Sequence, residues 1–417
     1  MIIYDSLLLL LTFHFLLIVV FYSSHLLSLA SLLMYNVCFL YVIFGGGELK
    51  SLLSNLGIIF IIPLFIFNLH ILLIIFLAKK WSSAALSLLP ILISLLPNQS
   101  FMIPIHPWML WYQIPFVSDF LPRFSYHLLN TIIIYIMPVS FFLMRGFILL
   151  IPLALFFLSF NAVNKYYSTK DVKNIRVLVV QVGLLVEQGN DIDKIESYIN
   201  RYNNIDLVVF SESTEFGYKP GARRIQTEHL VDNLKKKRNI AFILNLYGFA
   251  ENGINYNYRS SLFIDKGRLS YYPKLKLVPL WETRGVFYQD EDFYSDYLSV
   301  PSSNTKEVYY SSLGINVSMY SCFEAFFFHK LDIIPDLNVV QSRYTDIKST
   351  SISNYNKTVV FGDVLSYFMT SASYIPLLSV QDSGGSMYVD LYGVFDYKFF
   401  MKSLYSPLLA IDVAIKK

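Results

Sequence analysis

Long apolar runs crowd the first 160 residues of this chain, and then the pattern changes. Residues 6–22, 26–44, 56–78 and 83–96 form four such runs, and a fifth covers 128–160. A helix needs about 20 apolar residues to cross the hydrocarbon core of a bilayer. The fifth run is too long for one pass and is interrupted at Arg145-Gly146, so it reads as two short helices with a turn at 144–146. The pattern predicts a transmembrane bundle of about six helices over residues 1–161. The first run has no basic residue before it and no small-residue cleavage site after it, so it is expected to stay as a membrane segment rather than be removed.

After a polar linker at 162–174, strand and helix signals alternate. Residues 175–183 and 205–212 read as buried strands around a charge-rich helical stretch at 187–203. The end of another helix at 230–238 leads into a strand at 240–249, and 260–272 alternates through the turn Asp265-Lys266-Gly267 as a hairpin. Further strands are expected at 313–321, 337–341 and 376–381, with a helix near 351–373 and a sheet-closing strand at 386–392. The tail at 408–415 is too short, and broken by Asp412, to span a membrane. This order predicts an α/β layered sandwich over residues 175–417.

Charge sharpens the division. Before Asn161 stand five basic residues and three acids, whereas the rest holds 28 basic and 27 acidic residues, the mix of a water-facing domain. Lys79-Lys80 and Arg145 belong on the cytoplasmic side by the positive-inside bias, which places the polar domain outside. Between the fourth and fifth crossings, residues 98–127 carry Pro104, Pro107, Trp108, Trp111, Tyr112, Pro115 and Pro122. Prolines forbid a regular helix there, and Trp and Tyr favour the outer interface, as an anchoring belt or as a lipid contact. His14 and His70 lie in membrane runs without a second ligand in view and read as structural. The net charge of +3, with no basic run, excludes a nucleic-acid partner. Cys38 and Cys322 fall in different halves, so there is no disulfide framework.

Three strand ends each present a reactive residue: Glu212, Lys274 and Cys322. A carboxylate can take a thiol proton, an ammonium can stabilise an oxyanion, and a thiolate can attack an acyl carbonyl. Taken singly, each is an ordinary residue at a strand end. In order and in context they resemble the nitrilase (carbon–nitrogen hydrolase) superfamily, and most closely its membrane branch, the apolipoprotein N-acyltransferases. The phrases that carry the resemblance are Asp206–Ser213 (DLVVFSES), Tyr272–Glu282 (YPKLKLVPLWE), Ser321–Phe327 (SCFEAFF) and Leu377–Gly393. Lys274, then Leu277-Val278-Pro279, then Glu282 reproduce the branch's most specific phrase, and Cys322-Phe323-Glu324 its cysteine–aromatic–glutamate.

The resemblance implies an αββα sandwich in which Glu212 is the general base, Lys274 the oxyanion partner and Cys322 the nucleophile. It makes Glu282 and Glu324 supporting acids, beside Phe323, and reads Lys276 as a solvated or phosphate-facing lysine. It implies transfer of a fatty acyl chain from a phospholipid to the N-terminal amine of a diacylglyceryl-lipoprotein, at the outer face of an inner (plasma) membrane, with no cofactor and no metal. The chain departs from the family at Gln341–Tyr344 (QSRY), at the turn Gln381–Gly384, and in lacking a final helix. These departures bear on the acceptor more than on the reaction. A membrane-tethered amidase with the same three residues and a non-catalytic nitrilase-like scaffold are the alternatives.

Overall fold

The computed structural model describes residues 172–218, 223–251, 254–276, 305–306, 308–326, 329–331, 333–343 and 375–416, with Val359, Gly362, Asp363, Ser366 and Thr370 as isolated positions. The six predicted crossings, the segment at 98–127, the linker up to 171 and Glu282 all lie outside the described residues. Among the described residues no helix is long and apolar enough to cross a membrane. Residues 172–343 and 375–416 fall in one compact unit, Ser168–Asp346 with Tyr374–Lys417. The isolated positions between them fall in another, and are helical as expected there.

Two sheets build the first of these units. In the larger sheet, β1 (Val172–Val180), β2 (Leu207–Phe210) and β3 (Ala241–Glu251) run parallel. β4 (Ile254–Asp265) and β5 (Arg268–Pro273) continue it as an antiparallel hairpin, and β13 (Leu408–Lys416) closes its other edge antiparallel to β1. The hairpin turns at Lys266 and Gly267, whose φ values of 49° and 80° are the paired positive angles that a tight two-residue turn needs. In the second sheet, β8 (Asn316–Ser321), β10 (Leu337–Ser342) and β11 (Leu377–Gln381) are parallel. The antiparallel strands β7 (Val308–Tyr310) and β12 (Met387–Val389) flank them. A short ladder joins β6 (Thr305–Lys306) to β9 (Lys330–Leu331).

Alternation along the strands sends two sets of apolar side chains to two cores. Val177 and Val179, Leu207 and Val209, Ala241 and Ile243, and Phe263 meet Val317 and Met319, Leu337 and Val339, and Leu378 and Val380 between the sheets. The other face of the larger sheet packs under helices through Leu178, Val180, Val208, Phe210, Phe242 and Leu244. There α1 (Val182–Glu187), a 3-10 turn (Ile192–Lys194), α2 (Ile195–Ile199) and α3 (Arg224–Lys236) form the outer layer. In α3, Thr227, Leu230, Val231 and Leu234 are buried at the spacing of a single helical stripe. Each such fully buried aliphatic side chain is worth about 1.5–3 kcal/mol, so both layers are held chiefly by apolar burial.

The α/β sandwich expected from the pattern is present, with three differences. β1 begins at Val172, inside the segment read as linker, because its first residues pair with the chain's end. The tail at 408–415 forms β13, an edge strand of the larger sheet, while the strand expected at 386–392 closes the second sheet as β12. Among the described residues β6, β7, β9, α1 and α4 went unread; in α4 (Tyr397–Ser403) Asp396 caps the N-terminus by accepting from Phe399 N at 2.9 Å.

Candidate active site

Following any inward-facing column of the sandwich toward the C-terminal ends of its parallel strands, apolar residues give way to polar ones at a common level. Val177 and Val179 lead to Gln181, Leu207 and Val209 to Ser211, and Ala241 and Ile243 to Asn245. In the second sheet Val317 and Met319 lead to Ser321, Leu337 and Val339 to Gln341, and Leu378 and Val380 to Asp382. In β4, which runs the other way, the same column reads Phe263, Ser261, Arg259. All these polar groups are buried, so each requires a partner. Asn245 Nδ2 donates to Ser321 Oγ at 2.8 Å, and Ser261 Oγ to Gln341 Oε1 at 2.6 Å. Gln341 Nε2 donates to the carbonyl of Phe210 at 2.7 Å. The two sheets are thus tied together by hydrogen bonds just beneath the strand ends, where open α/β sheets place their ligands.

Glu212 stands on this level, two residues beyond the end of β2, with its side chain 4% exposed. Two cations meet one of its oxygens: Arg259 Nε lies 3.0 Å from Oε1 and Lys274 Nζ 3.7 Å. Its other oxygen, Oε2, is buried with no hydrogen-bond partner among the described residues. Lys274 follows β5 directly and its side chain is fully buried. Its backbone N–H donates to the carbonyl of Arg259 at 2.7 Å.

Cys322 ends β8 and opens a 3-10 turn, Cys322–Phe326, that also contains Phe323 and Glu324. Its φ is 45°, a left-handed conformation that costs a residue with a Cβ on the order of 1–3 kcal/mol and persists where surrounding structure imposes it. What imposes it is Glu324, fully buried, whose Oε2 accepts from Ser321 N at 3.1 Å and whose Oε1 accepts from Leu275 N at 3.0 Å. One carboxylate therefore bridges the residue before Cys322 and the residue after Lys274. The thiol lies 4.0 Å from the carbonyl of Arg343. His329 Nε2 is 2.9 Å from the Glu324 carbonyl and backs the turn.

Asp382, in the turn after β11, completes the charged cluster. Its Oδ1 accepts from Gly183 N and from Ser211 Oγ, both at 2.8 Å, and its Oδ2 lies 3.9 Å from Arg343 Nε. Burial pushes its carboxyl up to about 6, the hydrogen bonds and Arg343 acting against that rise and Glu212 adding to it. A Cβ on Gly183 would come within 2.5 Å of Asp382 Oδ2, so only glycine lets the carboxylate approach that backbone. Lys276 is held below the usual lysine range by burial, with Glu324 opposing the effect. Three carboxyl groups (Glu212, Glu324, Asp382) thus face four cationic side chains (Lys274, Lys276, Arg259, Arg343).

Of the residues expected from the sequence, Glu212 and Lys274 meet directly, and Glu324 links Cys322 to the lysine's segment. The reading of Lys276 as solvated is corrected: it is 8% exposed and faces Glu324 on the bend that follows β5. Arg259, Asp382 and Arg343 are additions that the sequence reading missed. Arg259 had one visible mark, a charge in the middle of an alternating strand followed by two serines.

No family model matches the chain, and no curated protein sequence does. Among solved structures, residues of this chain superpose on members of the carbon–nitrogen hydrolase (nitrilase) superfamily. A carbon–nitrogen hydrolase from Helicobacter pylori G27 is similar at 14% identity, over 58% of this chain and 89% of that one, with a TM-score of 0.38. An amidase of the nitrilase superfamily from Nesterenkonia AN1 is similar at 17% identity, over 57% and 90%, with a TM-score of 0.36. A glutamine-dependent NAD+ synthetase from Acinetobacter baumannii is similar at 15% identity, over 58% and 45%, with a TM-score of 0.36.

Proposed function

We propose that this chain is a membrane-bound N-acyltransferase that moves a fatty acyl chain from a phospholipid to the N-terminal amine of a diacylglyceryl-lipoprotein through a Cys322 thioester. The observation that carries the reading is Cys322 itself. It is held at a φ of 45° on a strand end and joined by Glu324 to the segment of a buried lysine that pairs with Glu212. The finer choice of substrates rests on the sequence: the Leu-Val-Pro phrase between Lys274 and Glu282, and the apolar runs that would hold both substrates in the outer leaflet of an inner membrane.

In the first half-reaction Glu212 takes the thiol proton and sulfur bonds to the ester carbonyl carbon, with Lys274 facing the oxyanion. The ester C–O bond breaks, the glycerol oxygen takes the proton from Glu212, and a lysophospholipid leaves. In the second, the acceptor amine gives a proton to Glu212 and its nitrogen bonds to the thioester carbon. The C–S bond breaks, the sulfur regains the proton, and an amide is released.

The amidase reading, in which water is the acceptor, is favoured by one observation: Arg343, whose carbonyl lies 4.0 Å from the Cys322 thiol, carries a charged side chain that comes within 3.9 Å of Asp382. Supplying phospholipid alone separates the two. Mass spectrometry should find an acyl adduct on Cys322 that neutral hydroxylamine removes and that Cys322→Ala lacks. A diacylated lipopeptide with a free α-amine should discharge it to a triacylated product. If phospholipid never labels Cys322 but a small amide is hydrolysed, the amidase reading replaces this one. If neither occurs in folded protein, the domain is a scaffold. Reporter fusions at Lys80 and Lys165 should report opposite compartments, with Lys165 outside; a cytoplasmic signal at Lys165 removes the membrane-leaflet argument.

A further inference from the structure

Arg259 touches two of the three residues on which the proposed chemistry turns. It lies in β4 directly across from Tyr247 in β3, and its side chain is 6% exposed. Its carbonyl accepts from Lys274 N at 2.7 Å, which fixes the backbone of the lysine. Its Nη1 donates to the carbonyl of Ser213 at 3.2 Å, and its guanidinium carbon sits 5.0 Å from the centre of the Tyr247 ring. Tyr247 also holds the loop that follows Glu212: its N–H donates to Phe216 O at 3.0 Å, and Tyr218 N donates to its carbonyl at 3.0 Å. Between those two bonds Gly217, with φ 155°, runs so close that a Cβ would lie 2.2 Å from the Tyr247 carbonyl. The guanidinium is therefore anchored by the ring, by Ser213 and by its own strand before it meets Glu212.

Two cations share Glu212 Oε1, and Oε2 is left buried without a hydrogen bond among the described residues. An unmade bond of this kind is costly to a fold, and on Oε2 it leaves a lone pair able to accept a proton. Lys274 Nζ lies 3.7 Å from Oε1 and Arg259 Nε 3.0 Å, as an ion pair without hydrogen-bond alignment, so the guanidinium is the nearer charge holding that oxygen. We propose that Arg259 is a positioning residue that clamps Oε1 of Glu212 while its carbonyl registers Lys274, so that Oε2 is the oxygen that receives the Cys322 proton. The inference rests on the acyl-enzyme reading for its proton transfer but not on the identity of the acyl donor.

Among the described residues, the charged groups facing Glu212 are Arg259 from β4, Lys274 after β5, and Asp382 from the turn after β11. Removing one cation from this set disfavours both the carboxylate and the thiolate, so both should form only at higher pH. The test uses the full-length protein and its Arg259→Met and Arg259→Lys variants. Two readouts are followed as a function of pH, iodoacetamide labelling of Cys322 and acyl-adduct formation from phospholipid. Arg259→Met should label on the order of 10²-fold more slowly at neutral pH, with the half-maximal rate displaced to higher pH. Arg259→Lys, which keeps the charge, should restore the position of the profile and most of the rate. Wild-type rates in Arg259→Met, or slowing at every pH alike with Arg259→Lys no better, would overturn the proposal and leave Arg259 a packing residue. If wild type takes no acyl group from phospholipid yet iodoacetamide labelling shows the displacement, the donor assignment fails and the positioning role stands.

Discussion

The interior between the two sheets has a dry floor and a polar ceiling that are equally buried. Val179 and Gln181 are both fully inaccessible, as are Val339 and Gln341, and Met319 differs from Ser321 by a single percentage point. Depth therefore says nothing about which level holds the fold and which does chemistry; bonding does. In the floor each side chain is interchangeable in kind, and its contribution scales with the apolar area it removes from water. In the ceiling each group is matched to a named partner, contributes only about 1 kcal/mol net when paired, and costs more when its partner is removed. Glu212 and Cys322 at the strand ends depart from this pattern, one with an oxygen that makes no hydrogen bond among the described residues and the other with a strained backbone, and Asn245 Oδ1 is a further unmade bond.

The largest expected effect divides the two levels most sharply. Lys274→Ala should lower the rate of Cys322 acylation by about 10²–10³. Lys274→Arg should be nearly as poor, because a guanidinium cannot occupy a fully buried ammonium's place. An arginine variant that retains substantial activity would show that the ceiling needs only charge, not geometry. Met319→Ala, one step down in β8, should do the reverse. It should destabilise the domain by about 2–5 kcal/mol through the cavity it leaves. Acylation per folded molecule should stay at the wild-type rate. A Met319→Ala protein that is stable but slow would mean that the floor positions Cys322 directly.

Much of this division can be read in the chain. Strand after strand writes two apolar inward positions and then a polar one, as in Val177-Val179-Gln181 or Val317-Met319-Ser321, and alternation alone carries that information. Glu212, Lys274 and Cys322 are legible for the same reason, since each follows directly on a run of strand residues. What stays hidden depends on pairing across long separations. Residues 408–416 become a strand only because Val172–Val180 offers an edge, and nothing local to the tail says so. Arg259 is hidden because a charge in a strand reads alike whether it faces solvent or a carboxylate supplied by β2. Lys276 misleads because the burial of a lysine beside Glu324 depends on a residue 48 positions further along the chain.

A third effect, of about 3 kcal/mol at most, belongs to the outer edge of the ceiling. Asp382 sits near 6 in the folded protein against 3.8 for the free group, so the folded state holds the proton more tightly than the unfolded one. Stability is then highest below the unfolded value, falls as pH rises from about 4 to about 6, and is level above that. Asp382→Asn removes this slope, and the difference between the two thermal-unfolding profiles cancels the other titrating groups. Parallel profiles for wild type and Asp382→Asn would mean that Gly183, Ser211 and Arg343 hold the carboxylate charged throughout.

The smallest expected effect asks whether the ceiling is held by pairing or by packing. Gln341 is fully buried and connects three strands: its Oε1 accepts from Ser261 Oγ in β4, and its Nε2 donates to the carbonyl of Phe210 in β2. Gln341→Leu keeps an inward-facing side chain of similar bulk, so little cavity forms. It strips the Phe210 carbonyl of its side-chain donor and leaves Ser261 Oγ only its 3.5 Å contact with Ser321 Oγ, in a place that water does not reach. If pairing governs this level, the variant should lose about 1–3 kcal/mol despite being more apolar. Ser261→Ala combined with Gln341→Leu should recover part of that loss, because the weakly bonded hydroxyl is then gone. Phe210 O, which no side-chain change can remove, sets the part that is not recovered. Gln341→Leu at or above wild-type stability would show that this level is packed like the floor. The contrast between the two levels would then shrink to the charged residues at the strand ends.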